Sequence, residues 1–395
     1  MICIVTQHFS WNRFILLLIG LWPYHHSKLI QLQIILCLGI LISCVVYQLA
    51  VFISEECTVD LILKVISMVL FFSMYVIEYN SFRVNRQAIK WSLEHLQHIC
   101  NELKDEKEIN IMKKCGNNAK RCTFLFIMFQ VFNIIAIISL PCVLYIFDIV
   151  VHINEHRLSR VMQMFIPKHF VGRENYFYLI MLHSGSAIMI GGIMLIASVT
   201  LCIAYVKHAC GMFKIASYRI EKAINTLKNV SLKNEIVMYR QLIHAVDIHR
   251  KAIKSTTLFF SVFQQSRFVL IIIGVITLSL NLYGISEVIS FGRDIQDFIF
   301  HFLIVIDIYI YMFCFNYAGQ EFMDHNNHIF TTAYNVQWYI TPLHVQKLIL
   351  FLLQRGSKTV SLSFGTVFTL SLELFAVLTK ASITYFTVMC SMQAM

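Results

Sequence analysis

The sequence predicts an all-α membrane protein with seven transmembrane helices, a cytoplasmic N-terminus, an extracellular C-terminus and a helical cytoplasmic bundle. Three observations carry this. Seven apolar stretches run over roughly 29–53, 61–79, 123–147, 177–206, 258–290, 298–320 and 367–391. Each is long enough for a bilayer core, which about 20 helical residues span. The chain of 395 residues is 58% hydrophobic and 14% charged, with a mean hydropathy of +0.68, a membrane composition. Of its 32 Lys and Arg, 24 fall in residues 1–28 and the loops 80–122, 207–257 and 321–366, and 5 fall in 54–60, 148–176, 291–297 and the residues past 391. Positive charge stays on the cytoplasmic side of short loops, so this split orients the chain.

The elements follow in order. Residues 1–28 carry only a short apolar run at 14–21 with no basic stretch before it, so no cleavable signal peptide is expected and the first span drives insertion. The second span ends near Glu78. The loop 80–122 has apolar positions Ile89, Leu93, Leu96, Cys100 and Leu103, three and four apart, which predicts a helix. The loop 207–257 repeats the pattern with Met212, Ile215, Ala216, Ile220, Ala223, Ile224 and Leu227, then Ile236, Tyr239, Leu242, Ile243 and Val246. Those runs predict the fourth and fifth spans continuing as helices beyond the membrane, with an apolar stripe facing partners. Pro342 to Arg355 is a further amphipathic helix, its Pro placed where a first turn tolerates it. These pieces either build a compact cytoplasmic bundle or lie on the bilayer surface.

Composition narrows the function classes. The net charge of +10 sits in cytoplasmic loops, which reads as topology and contact with anionic membrane lipid and not as nucleic-acid binding. Only 14 Gly and 4 Pro, an odd span number and no half-repeat weigh against a transporter built on broken helices. Twelve Cys form no paired framework and read as packing residues, with Cys57 and Cys142 the pair placed to bridge near the outer surface. The sequon at Asn229 falls in a cytoplasmic loop and is expected to stay unmodified. His152/His156, His325/His328, His25/His26 and His95/His98 are close pairs, but they divide between the two sides and read as ordinary histidines, so no metal and no cofactor is expected. No phosphate loop or nucleophile constellation is present, and the chain is not read as an enzyme.

The last span carries the polar chemistry. Thr366, Thr369, Glu373, Lys380, Thr384, Thr387 and Ser391 fall on one helical stripe, and polar stripes in spans face a bundle interior or a water path. The stripe lines a pore or is satisfied inside the subunit; spacing alone leaves both open. Asp307, midway in the sixth span, needs a partner, a hydrated neighbourhood or a proton, whereas Glu78, Arg267 and Glu287 lie near span ends where side chains snorkel. The outer halves of spans two to six offer Phe71, Phe72, Tyr75, Ile137, Leu140, Tyr178, His183, Ser186, Leu280, Asn281, Tyr283, Phe302 and Tyr309, a set suited to a small hydrophobic ligand or to plain packing.

The C-terminal third is similar to the insect odorant receptors. The match begins with Tyr317-Ala318-Gly319-Gln320-Glu321 and Asp324-His325. It continues through Ala333-Tyr334-Asn335, Trp338-Tyr339, Pro342, Gln346-Lys347-Leu348 and Arg355, then Leu370-Ser371-Leu372, Tyr385-Phe386-Thr387-Val388 and Ser391-Met392. Asn12-Arg13 and Gly20-Leu21-Trp22-Pro23 add a weaker one, while Gly356 and Phe364 depart from the usual Ser and Ala. The resemblance implies a subunit of a ligand-gated, non-selective cation channel, a heterotetramer with an odorant co-receptor subunit. It would sit in the plasma membrane of an olfactory sensory neuron dendrite, bind a volatile small-molecule odorant and pass cations. It also implies a helical cytoplasmic anchor bundle and a central pore surrounded by the last span, with Val388 and Met392, counted from Tyr385, as its hydrophobic gate; Thr384, Thr387 and Ser391 of the polar stripe are then the candidates to border it. The family's pocket lies in the outer half between spans two and six, the region already nominated; the resemblance gives that location and not individual contacts, and the candidates there are Phe71, Phe72, Tyr75, Ile137, Leu140, His183, Ser186, Leu280, Asn281, Phe302 and Tyr309. The domains are then an N-terminal cytoplasmic segment 1–28, spans one to six at 29–320, an anchor segment 321–366 and a pore-lining span at 367–395. A gustatory receptor-type channel is the alternative, with a membrane transporter behind it.

Overall fold

The computed structural model describes residues 8–25, 27–54, 59–151, 174–225, 232–291, 295–356, 358–365 and 368–393. Expectations resting on Cys57, His152, His156 and Thr366, and on the side chains of Cys142 and Tyr178, fall outside the described residues. Seven helices are long and apolar enough to cross a membrane.

In chain order the helices are α1 (Ser10–Leu18), α2 (Lys28–Ser54), α3 (Val59–Val84), α4 (Arg86–Asn101), α5 (Glu106–Val151), α6 (Glu174–Asn225), α7 (Leu232–Ser261), α8 (Gln264–Phe291), α9 (Ile295–Asn335), α10 (Leu343–Gly356) and α11 (Leu372–Gln393). A short antiparallel hairpin, β1 (Ser363–Phe364) and β2 (Phe368–Thr369), precedes α11 and pairs Ser363 with Thr369. The spans are α2, α3, α5, α6, α8, α9 and α11. The loops rich in Lys and Arg fold at one end of the bundle, here named the basic end.

The fourth span is the hub. Its membrane window is 78% buried, against 11% for the first and the last span. Ala197, Ala204, Ala209 and Ala216 are fully buried along it, and such small residues let neighbouring helices approach closely. α5, α7 and α9 all pack on α6.

At the basic end the expected helices gather as a bundle and do not lie out along a surface. Ile89, Leu93, Leu96, Cys100 and Leu103 are all buried, as are Met212, Ile215, Ala216, Ile220, Ala223 and Ile224 on the continuation of α6. Arg219 donates from Nε and Nη2 to both Glu108 oxygens at 2.7 and 2.8 Å, Lys222 reaches Asp105 at 2.6 Å, and Lys251 reaches Glu102 at 2.7 Å. Two expectations are corrected here. The fifth span does not run on: α7 stops at Ser261 and α8 starts at Gln264. The face of α7 is also rotated. Met238, Leu242, Ala245 and Ile248 are buried while Ile236, Tyr239 and Ile243 are exposed, because α7 lies along α6 on its Ala and Met side.

The N-terminal segment docks on this end. α1 closes with Gly20 in the left-handed region, where Leu21 N–H reaches the Leu16 carbonyl at 2.8 Å and Gly20 N–H the Leu17 carbonyl at 3.1 Å. That is the double-bonded helix stop that glycine favours, and it gives the Gly20-Leu21-Trp22-Pro23 stretch a physical role. Asn12 donates to Thr200 at 2.8 Å, Tyr79 to the Ile19 carbonyl at 2.9 Å and Arg86 to the Trp22 carbonyl at 2.7 Å.

Candidate functional site

Two regions were singled out by the sequence, and α9 connects them. In the half of the bundle away from the basic end, Phe71, Phe72 and Tyr75 form an edge-to-face cluster on α3. Phe71 and Tyr75 have ring centroids 4.8 Å apart, and Phe71 and Phe72 5.8 Å apart. All three are buried, and Tyr75 lies against α6 at Gly191 while Ile134 of α5 lies against Gly192. Ile137 is buried and Leu140 half-buried in the same core. On α6, His183 Nε2 meets Ser43 Oγ of α2 at 2.8 Å, and Ser186 Oγ donates to the His183 carbonyl at 2.7 Å.

One turn along α3 from Phe71, Ser67 Oγ accepts from Asn281 Nδ2 at 2.9 Å, and Asn281 Oδ1 accepts from His301 Nδ1 at 2.9 Å. Leu280 lines the small cleft there, with Lys64, Tyr283, Glu287, Asp297 and His301 around it. Thus α3, α8 and α9 are joined by polar bonds beside the aromatic cluster. Phe302 and Tyr309 are placed apart from it. Phe302 is 44% exposed and stacks on Phe298, and Tyr309 packs edge-on against Phe375 of α11 at 4.9 Å, with Phe313 on the same ring at 5.4 Å.

The intramembrane ionisable groups read differently once placed. Glu78 and Arg267 do not snorkel: Glu78 is fully buried, and Arg267 nearly so. Arg267 Nη1 contacts Glu78 Oε1 at 2.5 Å and also donates to the Tyr311 hydroxyl. Tyr311 and Ser198 donate to the same carboxylate oxygen at 2.9 and 2.8 Å, and the guanidinium lies 4.3 Å from the Phe315 ring. Four spans, α3, α6, α8 and α9, meet in this network. Spacing within one span cannot reveal it. The available signal was that Glu78, near the end of α3, and Arg267, near the start of α8, are opposite charges at similar depth. Asp307 has its partner as well, accepting from Gln130 Nε2 of α5 at 2.7 Å.

α9 then holds the start of α11. Leu374 N–H reaches Ser371 Oγ at 3.0 Å, a side-chain N-cap, while the Ser371 and Leu372 N–H groups reach Asn316 Oδ1 and Gln320 Oε1, each at 3.3 Å. Thr369 therefore lies in β2 and not on the polar stripe of the helix, since the cap starts α11 at Leu372.

α11 packs on α8 through one edge. Leu378 and Ser382 are buried, Ser279 donates to the Ser382 carbonyl at 3.0 Å and Cys390 Sγ approaches Ser286 Oγ at 3.8 Å. At 100° per residue, Glu373, Lys380, Thr384, Thr387 and Ser391 lie opposite that edge, and all five are exposed. Val388 and then Met392 follow on one side of the stripe, Tyr385 lies beyond them next to the packed edge, and all three are exposed too, Val388 at 49% and Met392 at 72%.

The 7tm Odorant receptor family matches residues 58–383 of the chain. No curated protein matches it. Two solved structures of the insect olfactory receptor OR5 from Machilis hrabei share the fold. The one in complex with eugenol has a TM-score of 0.78 at 16% identity, covering 98% of each chain. The other has a TM-score of 0.77 at 15% identity with the same coverage.

Proposed function

The chain belongs to the 7tm odorant receptor family, a family of multi-pass membrane proteins, and on that premise we propose that it is one subunit of an odorant-gated, non-selective cation channel. The observation that carries the channel reading is the contrast between its two least buried spans. α2 turns Leu29, Leu32, Ile35, Leu36 and Val46 outward, a lipid-facing surface. α11 is as little buried but turns out Glu373, Lys380, Thr384, Thr387 and Ser391. A charged group at the bilayer centre costs about 2.5–3.5 kcal/mol even on the mildest scale, so that face belongs beside water or other subunits.

The charge split supports a cytosolic basic end, with α11 emerging outside. Four subunits, some of them copies of this chain and the others a shared co-receptor, would bring their last spans around a central path, with Val388 and Met392 closing it and the threonine stripe beside them. A small volatile molecule binds among Phe71, Phe72, Tyr75, Ile137 and the neighbouring outer-half groups. The OR5 structure in complex with eugenol supports a ligand of this size class. Binding reaches α11 through α9, whose His301 joins the outer cluster, whose Tyr309 and Phe313 pack on Phe375, and whose Asn316 and Gln320 hold the α11 start. A ligand moves the gate only as far as it binds the open arrangement more tightly than the closed one.

The test is current recording from cells of a line lacking odorant receptors, expressing the chain with and without a co-receptor subunit, against a chemically diverse odour panel. Odour-evoked cation current only in the paired cells is the expected result. Current from the chain alone would mean a homomeric channel. Surface expression with no current to any odour in either setting, or uptake without conductance, would overturn the reading.

A further inference from the structure

Three metal-ligating side chains meet at the basic end on two helices. Cys210 of α6 and Glu321 and His325 of α9 each place one donor atom within 4.8 Å of the other two. Glu321 and His325 stand one turn apart, so they share a face of α9, and Cys210 faces them from the hub helix. Cys210 is buried while the other two are half-buried, which leaves a way in from the aqueous side.

The surroundings already hold two of the donors in place. His325 Nδ1 donates to the Glu321 carbonyl at 2.9 Å, which fixes the tautomer and leaves Nε2 with the lone pair. A backbone carbonyl on the non-ligating nitrogen is the usual support of a metal-bound imidazole. Lys207 Nζ lies 2.5 Å from Glu321 Oε1, orienting the carboxylate with its second oxygen left for an ion. We propose that Cys210, Glu321 and His325 bind a divalent transition-metal ion of the zinc type, with water in the fourth position.

The chemistry favours that ion class. Thiolate, imidazole and carboxylate together suit borderline zinc-like ions and not calcium or magnesium, which take oxygen donors. Metal–donor bonds of 2.0–2.3 Å in a tetrahedron put donors roughly 3.3–3.8 Å apart, so side-chain rotation of about an ångström closes the set. Cys210 binds as thiolate and releases its proton to water. The ion would pin α6 to α9 beside Gln320, which caps the gating helix. Such a site lies outside the odorant pocket and stands whether or not the channel reading holds.

The probe is Co2+ as a spectroscopic stand-in, titrated into the full-length purified chain in detergent. A thiolate-to-cobalt charge-transfer band that Zn2+ displaces is expected. Cys210→Ser abolishes the band and Cys115→Ser, on the neighbouring α5, keeps it. His325→Gln, at a half-buried position, weakens Co2+ binding at least tenfold in a chain whose thermal unfolding matches wild type. A wild-type chain with no Zn2+-displaceable band overturns the site, as does a band that survives Cys210→Ser or binding unmoved by His325→Gln.

Discussion

Arg267 and Glu78 show how a single residue pair can hold the membrane core together. Each charge is buried, and groups from other helices converge on Arg267 and on Glu78 Oε1, while Glu78 Oε2 is buried with no hydrogen-bond partner among the described residues, so removing one charge leaves the other stranded. Arg267→Met is expected to cost about 3–5 kcal/mol. The double change with Glu78→Gln should recover most of that loss, because neither charge is then left alone. Thermal unfolding in detergent measures both, and a double variant no better than the single one would refute the pairing argument. Histidines at the basic end set a pH dependence. Burial holds His249 below the usual imidazole range, with Arg355 adding to it, while its Nε2 donates to Asn326 at 2.9 Å; burial lowers His8 likewise, with Lys120 adding. The unfolded chain takes up protons at about pH 6.5, before the folded one does, so stability is complete above that pH and declines as pH falls from there to the folded value. The melting temperature should drop on acidification below about pH 6.5, and less steeply in His249→Gln. At the other end of the chain, Val388 is exposed on α11 beside the threonine stripe, and the gate reading makes its apolar surface the seal. Val388→Asp should raise the current that flows without odour. A basal leak equal to wild type would remove Val388 from the gate.

Among the elements, α9 decides how the others are connected. Its buried and half-buried polar groups reach a different neighbour at each level, with His301 to α8, Asp307 to α5, Tyr311 to α3, Asn316 and Gln320 to the start of α11, and Glu321 to Lys207 of α6. At Gly319 the approach of the chain before α11 is so close that an added Cβ would lie 2.3 Å from Leu370 Cβ and 2.4 Å from its carbonyl oxygen. Gly319→Val must therefore push the α11 start off α9, and Ser371→Ala removes the N-cap at a cost of about 1 kcal/mol. Both should reduce odour-evoked current at unchanged surface expression, Gly319→Val far more. Loss of surface protein in step with current would mean that the clasp serves folding and not coupling. Here the sequence was informative in part. The stretches Tyr317-Ala318-Gly319-Gln320-Glu321 and Leu370-Ser371-Leu372 could be picked out as motifs, but only the fold shows that each is one side of a single joint. Span positions were legible because a bilayer demands a length and a composition, and the burial of Ile89, Leu93 and Leu96 was legible from their helical spacing. The face of α7 was not, since Ile236, Tyr239 and Ile243 are spaced like a core stripe while α7 buries its Met238 and Ala245 side on α6. The Glu78–Arg267 network was missed for a similar reason, because it draws on four helices and periodicity reports on one.

For the whole molecule, α2 and α11 pose a question that neither burial nor length can answer alone. Both are 11% buried within the chain, and both are apolar enough to span. The difference lies in what they turn outward: α2 offers Ile35 and Leu36 to its surroundings, and α11 offers Glu373, Lys380 and Thr384. Acyl chains accept the first surface at no cost. The second needs polar neighbours, and with its packed edge already on α8 the proposed channel supplies them from outside the subunit. Equal exposure should thus hide unequal surroundings. A cysteine placed at Val388 should form disulfide-linked dimers on mild oxidation in membranes if, as proposed, copies of α11 face one another across a common axis. A cysteine at Ile35, on the lipid face of α2, should not, although its side chain is more exposed in the single chain. Electrophoresis without reductant reads both. Crosslinking from Ile35 with none from Val388 would exchange the roles of the two helices, making α2 the assembly face and leaving the polar stripe to be satisfied in some other way.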